Sequence, residues 1–253
     1  MSIGEISEDR RAQLTAKGLV LSWWAEQRPE DMAIVSQDGN RTFAQLDRRS
    51  NQLVRALRRL GVSAGASVAL VCGNRPEFAE VVAACNRSGL RLTTVNWHLS
   101  ADEARYIATD CEATVVIVDP GLGPSATGAA DSPVARVRLA VGAPCDGFES
   151  YEGAVSAEDG GPLLDPTPGS VMLYTSGTTG RPKGVRRPPG TSTAAAALNI
   201  YDYREDGTDV HLCTGPLYHA APLAFSLSAP LAFGTQVVLM ESWDAERCLG
   251  LIE

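Results

Sequence analysis

Lysine is almost missing from this chain: its 22 basic residues are 20 arginines and only two lysines, Lys17 and Lys183. Positive charge is also in deficit, since 30 Asp and Glu leave a formal net charge of −8. That balance excludes a general nucleic-acid binder, which needs a net basic surface to hold phosphate backbones, and leaves room only for a local basic pocket. The six cysteines form no Cys-x-x-Cys pair and no zinc-type spacing with the three histidines. They read as thiols of a reducing compartment, most of them within apolar runs. The opening MSIGEISEDRR lacks the apolar core of a secretory signal. The most apolar late stretch, AAPLAFSLSAPLAF, is broken by two prolines and is too short to span a bilayer. These absences predict a soluble cytoplasmic protein without a transmembrane segment.

What is present has the balance of a folded protein, with 44% hydrophobic and 21% charged residues. At 253 residues the chain can form one large α/β unit or two small lobes. Short all-apolar runs recur at 68–70, 115–118, 171–173, 210–213 and 237–240, the pattern of strands buried on both faces of a helix-covered sheet. Helical periodicity lies between them. Leu46, Leu53, Val54, Leu57 and Leu60 form one face over 43–60, Thr42 is a candidate N-cap, and Gly61 stands where a left-handed C-terminal residue belongs. Phe78, Val81, Val82 and Cys85 repeat the stripe. Ser100 and Glu103 predict a capping box that opens a helix through Ile107. Asp38-Gly39 between two β-like segments predicts a hairpin, hence a small antiparallel edge.

The alternation implies an α/β fold of mainly parallel βαβ sheets covered by helices. The stretch 119–169 is dense in Gly, Pro, Ser and Asp and reads as loops and a linker. We therefore expect two lobes, 1–165 with the antiparallel edge and 166–253. The last eleven residues, WDAERCLGLIE, start an amphipathic helix with Ala245, Cys248, Leu249 and Ile252 on one face and carry no stop signal, which suggests a fragment.

The segment LYTSGTTGRPKGV, 173–185, is poor in packing atoms and rich in donors. Gly177, Gly180 and Gly184 free the backbone to approach a ligand closely. Thr175, Ser176, Thr178 and Thr179 supply hydroxyls, and successive amides of such a turn make a concavity for anions. Lys183 supplies countercharge, as a compact ammonium able to move between phosphate oxygens where an arginine would present a rigid fork. The spacing is not that of a Walker A loop, because Pro182 precedes the lysine and Gly184 follows it.

YTSGTTGRPKGV resembles the phosphate-loop signature of the adenylate-forming, or AMP-binding, superfamily: acyl-CoA synthetases, adenylation domains of peptide synthetases and luciferases. RTFAQLDRRSNQLVRALRRLGV, the stretch from VALVCGNRPEF to VVIVD, and PLYHAAP occur in the order expected of that superfamily, and TTVNWHLSADEARYI is most similar to bacterial fatty-acid and related acyl-CoA ligases. The resemblance implies that Thr175, Ser176, Gly177, Thr178, Thr179, Gly180 and Lys183 bind ATP, with Lys183 neutralising phosphate charge and Thr175 a ligand to Mg2+. It implies that His219 borders the acid pocket, where the residues alone would also allow a half-buried histidine held by the backbone. His98 and His211 read as structural, and Trp23, Trp24 and Tyr174 as core. Arg186 and Arg187 could extend the basic rim or stand in solvent.

The implied reaction joins a carboxylic, most plainly a fatty, acid to AMP and then transfers the acyl group to coenzyme A. Alternatives are an acyl-AMP ligase that loads a carrier protein and a catalytically inactive nucleotide-binding fragment. The superfamily's later adenine, ribose and hinge motifs and its C-terminal lysine are absent. The chain is thus expected to be an incomplete N-terminal portion, with little turnover without the missing C-terminal portion.

Overall fold

The computed structural model describes residues 6–175, 181–190, 200–204 and 206–253. In chain order its elements begin with α1 (Glu8–Ala16), α2 (Val20–Gln27), β1 (Met32–Val35), β2 (Arg41–Thr42), α3 (Phe43–Arg59), β3 (Ser67–Val71), α4 (Pro76–Arg87) and β4 (Arg91–Thr94). Next come α5 (Ala101–Asp110), β5 (Ala113–Val118), α6 (Pro124–Ala130), β6 (Val137–Ala140), β7 (Glu149–Ser150) and α7 (Tyr151–Ser156). The last part holds β8 (Ser170–Thr175), β9 (Lys183–Arg186), β10 (Val210–Cys213), a π-helical turn (Pro222–Ser228), α8 (Ala229–Ala232), β11 (Gln236–Leu239) and α9 (Ala245–Ile252).

Seven strands form one sheet in the order β7-β6-β5-β3-β4-β8-β9, all parallel except β9. Its central strands alternate between two cores. Val68, Leu70, Val115 and Ile117 face α3 and α4, whereas Ala69, Val71, Val116 and Val118 face α5 and α6. Burial on both sides is why these strands read as unbroken apolar runs. A second, four-stranded sheet, β10-β11-β1-β2, packs Ile34, Cys213, Val237 and Leu239 into the first of those cores. The expected fold class is therefore the observed one.

The local signals are realised where the residues that make them are neighbours. Thr42 and Ser100 both close capping boxes, with Gln45 and Glu103 respectively, and Gly61 takes a φ of 83°. β1 and β2 form the antiparallel edge. Trp24 is fully buried and donates from Nε1 to the Ala232 carbonyl at 3.0 Å, while Trp23 and Tyr174 are half-buried. All six thiols are free. Among the described residues no helix is long and apolar enough to cross a membrane.

Three expectations need correction or closer reading. The stretch 119–169 is not a linker: it holds α6, β6, β7 and α7, and β6 pairs with β5 over four residues. Its order comes from distant partners. Buried Glu80 accepts from Arg49 Nε at 2.7 Å and from Tyr151 Oη at 2.7 Å, and Arg49 reaches on to Glu152 at 2.6 Å, which ties α7 to α3 and α4. Strands from both sides of residue 165 enter each sheet, because β8 pairs with β4 and β1 pairs with β11. The sheets thus do not divide at that point. Finally, α9 forms with Asp244 as its N-cap, but of its expected apolar face only Cys248 is buried; Leu249 and Ile252 are 64% and 68% exposed.

Candidate active site

A parallel sheet brings the carboxyl ends of its strands to one edge, and ligands of open α/β sheets bind outside that edge. Here it gathers segments far apart in sequence: Asn74 after β3, Val95 to His98 after β4, Asp119 after β5 and Thr175 at the end of β8. Arg75 braces the edge, reaching Asp119 at 2.9 Å and Glu77 at 2.8 Å.

Thr175 and Lys183 are cross-strand partners at the end of the β8–β9 hairpin where the connecting loop begins and ends, and both are exposed. Directly opposed residues of an antiparallel pair project to the same face. That face follows from the alternation along β8. Met172 and Tyr174 belong to the α5 side, Leu173 to the core on the α3 side, so Thr175 and Lys183 project with Leu173, away from α5. A hydroxyl and an ammonium therefore stand together at the carboxyl edge. The other five predicted loop residues, Ser176, Gly177, Thr178, Thr179 and Gly180, lie outside the described residues.

On the opposite, α5 side, a groove of about 670 Å3 is lined by Asp102, Glu103, Tyr106, Asp131, Arg181 and Pro182, among others. Its three carboxylates outnumber the guanidiniums of Arg105, which pairs with Asp102, and Arg181, so the Thr175 and Lys183 face is the better candidate for anion binding. For a magnesium ion the fit is partial. The described residues contain no cluster of three or more His, Cys, Asp or Glu able to hold a metal. Thr175 is a hard oxygen donor of the right kind, but the remaining ligands would have to be phosphate oxygens and water, the usual arrangement for Mg2+ with nucleotides.

His219 lies in the turn between β10 and the π-helical segment and is exposed. Two polar clamps dock this turn on the edge. The Asn74 side-chain amide donates to the carbonyls of Gly215 and Met240, each at 2.9 Å, and accepts from Leu217 N at 2.8 Å. Thr94 Oγ1 donates to the Tyr218 carbonyl at 2.9 Å. Burial raises the Tyr218 phenol above its ordinary value, so it stays protonated in neutral solution. His219 packs at a tilt against Tyr218, with centroids 4.5 Å apart and planes 56° from parallel, and His98 meets the same ring at 6.4 Å while stacking on Trp97 at 3.5 Å. Trp97, His98, Tyr218 and His219 thus form an aromatic wall at the edge, which places His98 beside the predicted site.

Sequence reading missed Asn74 and Trp97 as well as the placement of His98. A signal for Asn74 was available: a lone amide one glycine beyond the apolar run VALVC, past the carboxyl end of a central strand. His211 does match its structural reading, with Nδ1 2.7 Å from Tyr203 Oη and a pKa lowered by burial. Arg186 pairs with Glu112 at 3.1 Å on the α5 side and is not part of the phosphate face; it and Arg187 are both exposed.

The model of the family described as AMP-binding enzyme matches residues 21–253. Among curated relatives, an indoleacetate–CoA ligase of Aromatoleum aromaticum is 31% identical over 242 residues, 92% of this chain and 47% of the relative. A fatty acid–[acyl-carrier-protein] ligase, ScoC, of Streptomyces coeruleorubidus is 29% identical over 239 residues, 91% of this chain and 44% of the relative. Among solved structures, a fatty acyl CoA synthetase of Mycobacterium tuberculosis superposes with a TM-score of 0.81 at 24% identity, covering 95% of this chain and 48% of that one. That last likeness speaks for the fold alone. The chain spans about half the length of the curated relatives it matches.

Proposed function

Because the chain belongs to the AMP-binding enzyme family, we propose that it carries the ATP-gripping part of an acid–thiol ligase, one that activates a carboxylic acid as its acyl-adenylate and passes the acyl group to coenzyme A. The observation that carries this reading is the pairing of Thr175 with Lys183 at the carboxyl edge, inside the motif that defines the predicted phosphate loop. Lys183 neutralises charge on the β- and γ-phosphates as it builds toward pyrophosphate, and such preorganised countercharge is a main source of rate in nucleotidyl transfer. The Thr175 hydroxyl would be a ligand to a phosphate-bound Mg2+, and that ion would supply further charge neutralisation there. His219 and its aromatic neighbours form a wall for the acid. A fatty acid is the substrate we favour, and the cytoplasm, where ATP and coenzyme A are available, the location.

A second acceptor is favoured by one observation, the likeness to a ligase that acylates a carrier protein. Supplying coenzyme A or a phosphopantetheinylated carrier to the polypeptide that also bears the remaining half of the family's length separates the two. We assign turnover to that longer polypeptide and expect the 253 residues alone to bind ATP·Mg2+ without completing it.

Calorimetry of ATP·Mg2+ with this chain tests the reading directly. Losing a charge-assisted contact should weaken binding of Lys183→Ala by about tenfold or more, and pyrophosphate exchange by the longer polypeptide should fall with it. Equal affinity and unchanged exchange would overturn the assignment of Lys183. Tight binding with no adenylate formed even by the longer polypeptide would instead favour a nucleotide-binding module.

A further inference from the structure

The β8–β9 hairpin projects beyond its sheet. β4 supports β8 only at Ser170 and Val171, so from Met172 onward β8 pairs with β9 alone. β9 is the last strand of the sheet and is largely exposed. An isolated two-stranded ribbon is marginal in water, yet this one bears the two groups on which the proposed phosphate grip depends.

Four contacts with α5 and the turn after it hold the ribbon down. Tyr174 Oη donates to Asp110 Oδ2 at 2.5 Å, and Tyr106 Oη donates to the Pro182 carbonyl at 3.3 Å. The Arg181 guanidinium lies over the Tyr106 ring, 5.5 Å from its centroid. Arg186 Nη2 pairs with Glu112 Oε2 at 3.1 Å. Gly184, opposite Tyr174, leaves space for that ring: a Cβ there would fall 3.0 Å from Tyr174 Cζ and collide with Met172 Cε. Desolvation and then the bond to Asp110 raise the Tyr174 pKa, which keeps the phenol a donor at any physiological pH.

We propose that α5 carries a latch for this hairpin, with Tyr174 and Asp110 as positioning residues that set where Thr175 and Lys183 stand. The inference deepens the ATP reading above and rests on it for its functional meaning, but the latch itself is a claim about the hairpin alone. Neither residue touches phosphate. Tyr174 points to the α5 side, and Thr175, its neighbour in the strand, to the other.

Tryptic cleavage of the Lys183–Gly184 bond reads the latch, because β9 must part from β8 before a protease can bind it. In nucleotide-free protein, Tyr174→Phe and Asp110→Ala should each speed that cut by about five- to tenfold, and the double variant should be no faster than either single one. Asp110→Asn keeps an acceptor for the phenol and should recover most of the protection. Far-UV circular dichroism and the bulk unfolding temperature check that each variant is folded. Unchanged cleavage, additive effects, or an Asn variant as fast as the Ala one would overturn the latch. A parallel arm with ATP·Mg2+ separates the two claims. Nucleotide that fails to slow cleavage of the wild-type chain counts against the phosphate reading, whereas the nucleotide-free comparison decides the latch.

Discussion

Asn74 is the residue whose removal should disturb the candidate site most through structure alone. Its side chain is 6% exposed and uses three of its hydrogen-bonding positions on backbone groups of the other sheet's loops, Gly215 O, Met240 O and Leu217 N. Asn74→Ala leaves all three without that partner. Each lost bond is worth about 1 kcal/mol net, and a buried group left unpaired costs about 1–3 kcal/mol; with water relieving the more accessible Gly215, the sum is about 3 kcal/mol. For a chain of this size that corresponds to a fall of about 6–12 °C in unfolding temperature. Asn74→Asp discriminates better than Ala. Its carboxylate can still accept from Leu217 N but turns an oxygen without a hydrogen toward two carbonyls, so it should be no more stable than the Ala variant. Thermal unfolding followed by circular dichroism gives the temperature, and the His219 ring resonance reports whether the turn has moved. An Asn74→Ala shift below about 2 °C, or an Asp variant as stable as wild type, would refute the claim that this amide clamps the two sheets together.

Two further outcomes test the packing. Gly128→Ala would drive a Cβ into the backbone of Ala101 where α6 crosses α5, and two backbones cannot yield as a side chain can. An overpacking cost of about 3 kcal/mol against a helix-propensity gain of about 1 kcal/mol predicts a net loss of about 2 kcal/mol in urea unfolding, and an equally stable variant would contradict it. His211 has a folded pKa lowered by burial, so the neutral ring is the form the fold holds. Its contribution is fully present above about pH 6.5, the unfolded value, and is lost as pH falls through the lower folded value. Unfolding temperatures measured from pH 7 downward should therefore fall more steeply for wild type than for His211→Phe, and parallel curves would argue against the burial effect.

The parts of this fold that can be read from sequence are those whose cause lies within a few residues. Thr42 with Gln45 and Ser100 with Glu103 carry their capping chemistry over three positions, and VALV or VVIV announce burial on both faces by their own composition. β6 escapes because its cause is remote. Two of the six residues from Val134 to Leu139 are basic, and the strand exists because β5 offers Val115 to Val118 as a template and α7 is tied down by Glu80. α6 escapes for a related reason. Small residues with little helical periodicity are what its close approach to α5 demands, and the same composition reads as a loop. The opposite error occurs at α9, where periodicity foretells the helix correctly but cannot say whether a partner covers its apolar face.

The candidate site follows the same division, with a consequence for how its motif should be read. Lys183 stands out in sequence because lysine is otherwise so scarce, yet its direction is decided by Tyr174 and Asp110, which are 64 residues apart. His219 sits in a recognisable turn, yet that turn is docked by Asn74, 141 and 166 residues from two of its carbonyl partners. The ligand-facing groups and the groups that aim them therefore come from different segments, and only the parallel sheet brings their ends together. A glycine-rich string specifies what chemistry is available, whereas α5 and the edge of β3 specify where it points. It follows that changes at Asp110 or Asn74, neither of them inside the glycine-rich string, should alter nucleotide binding while leaving every residue of that string in place.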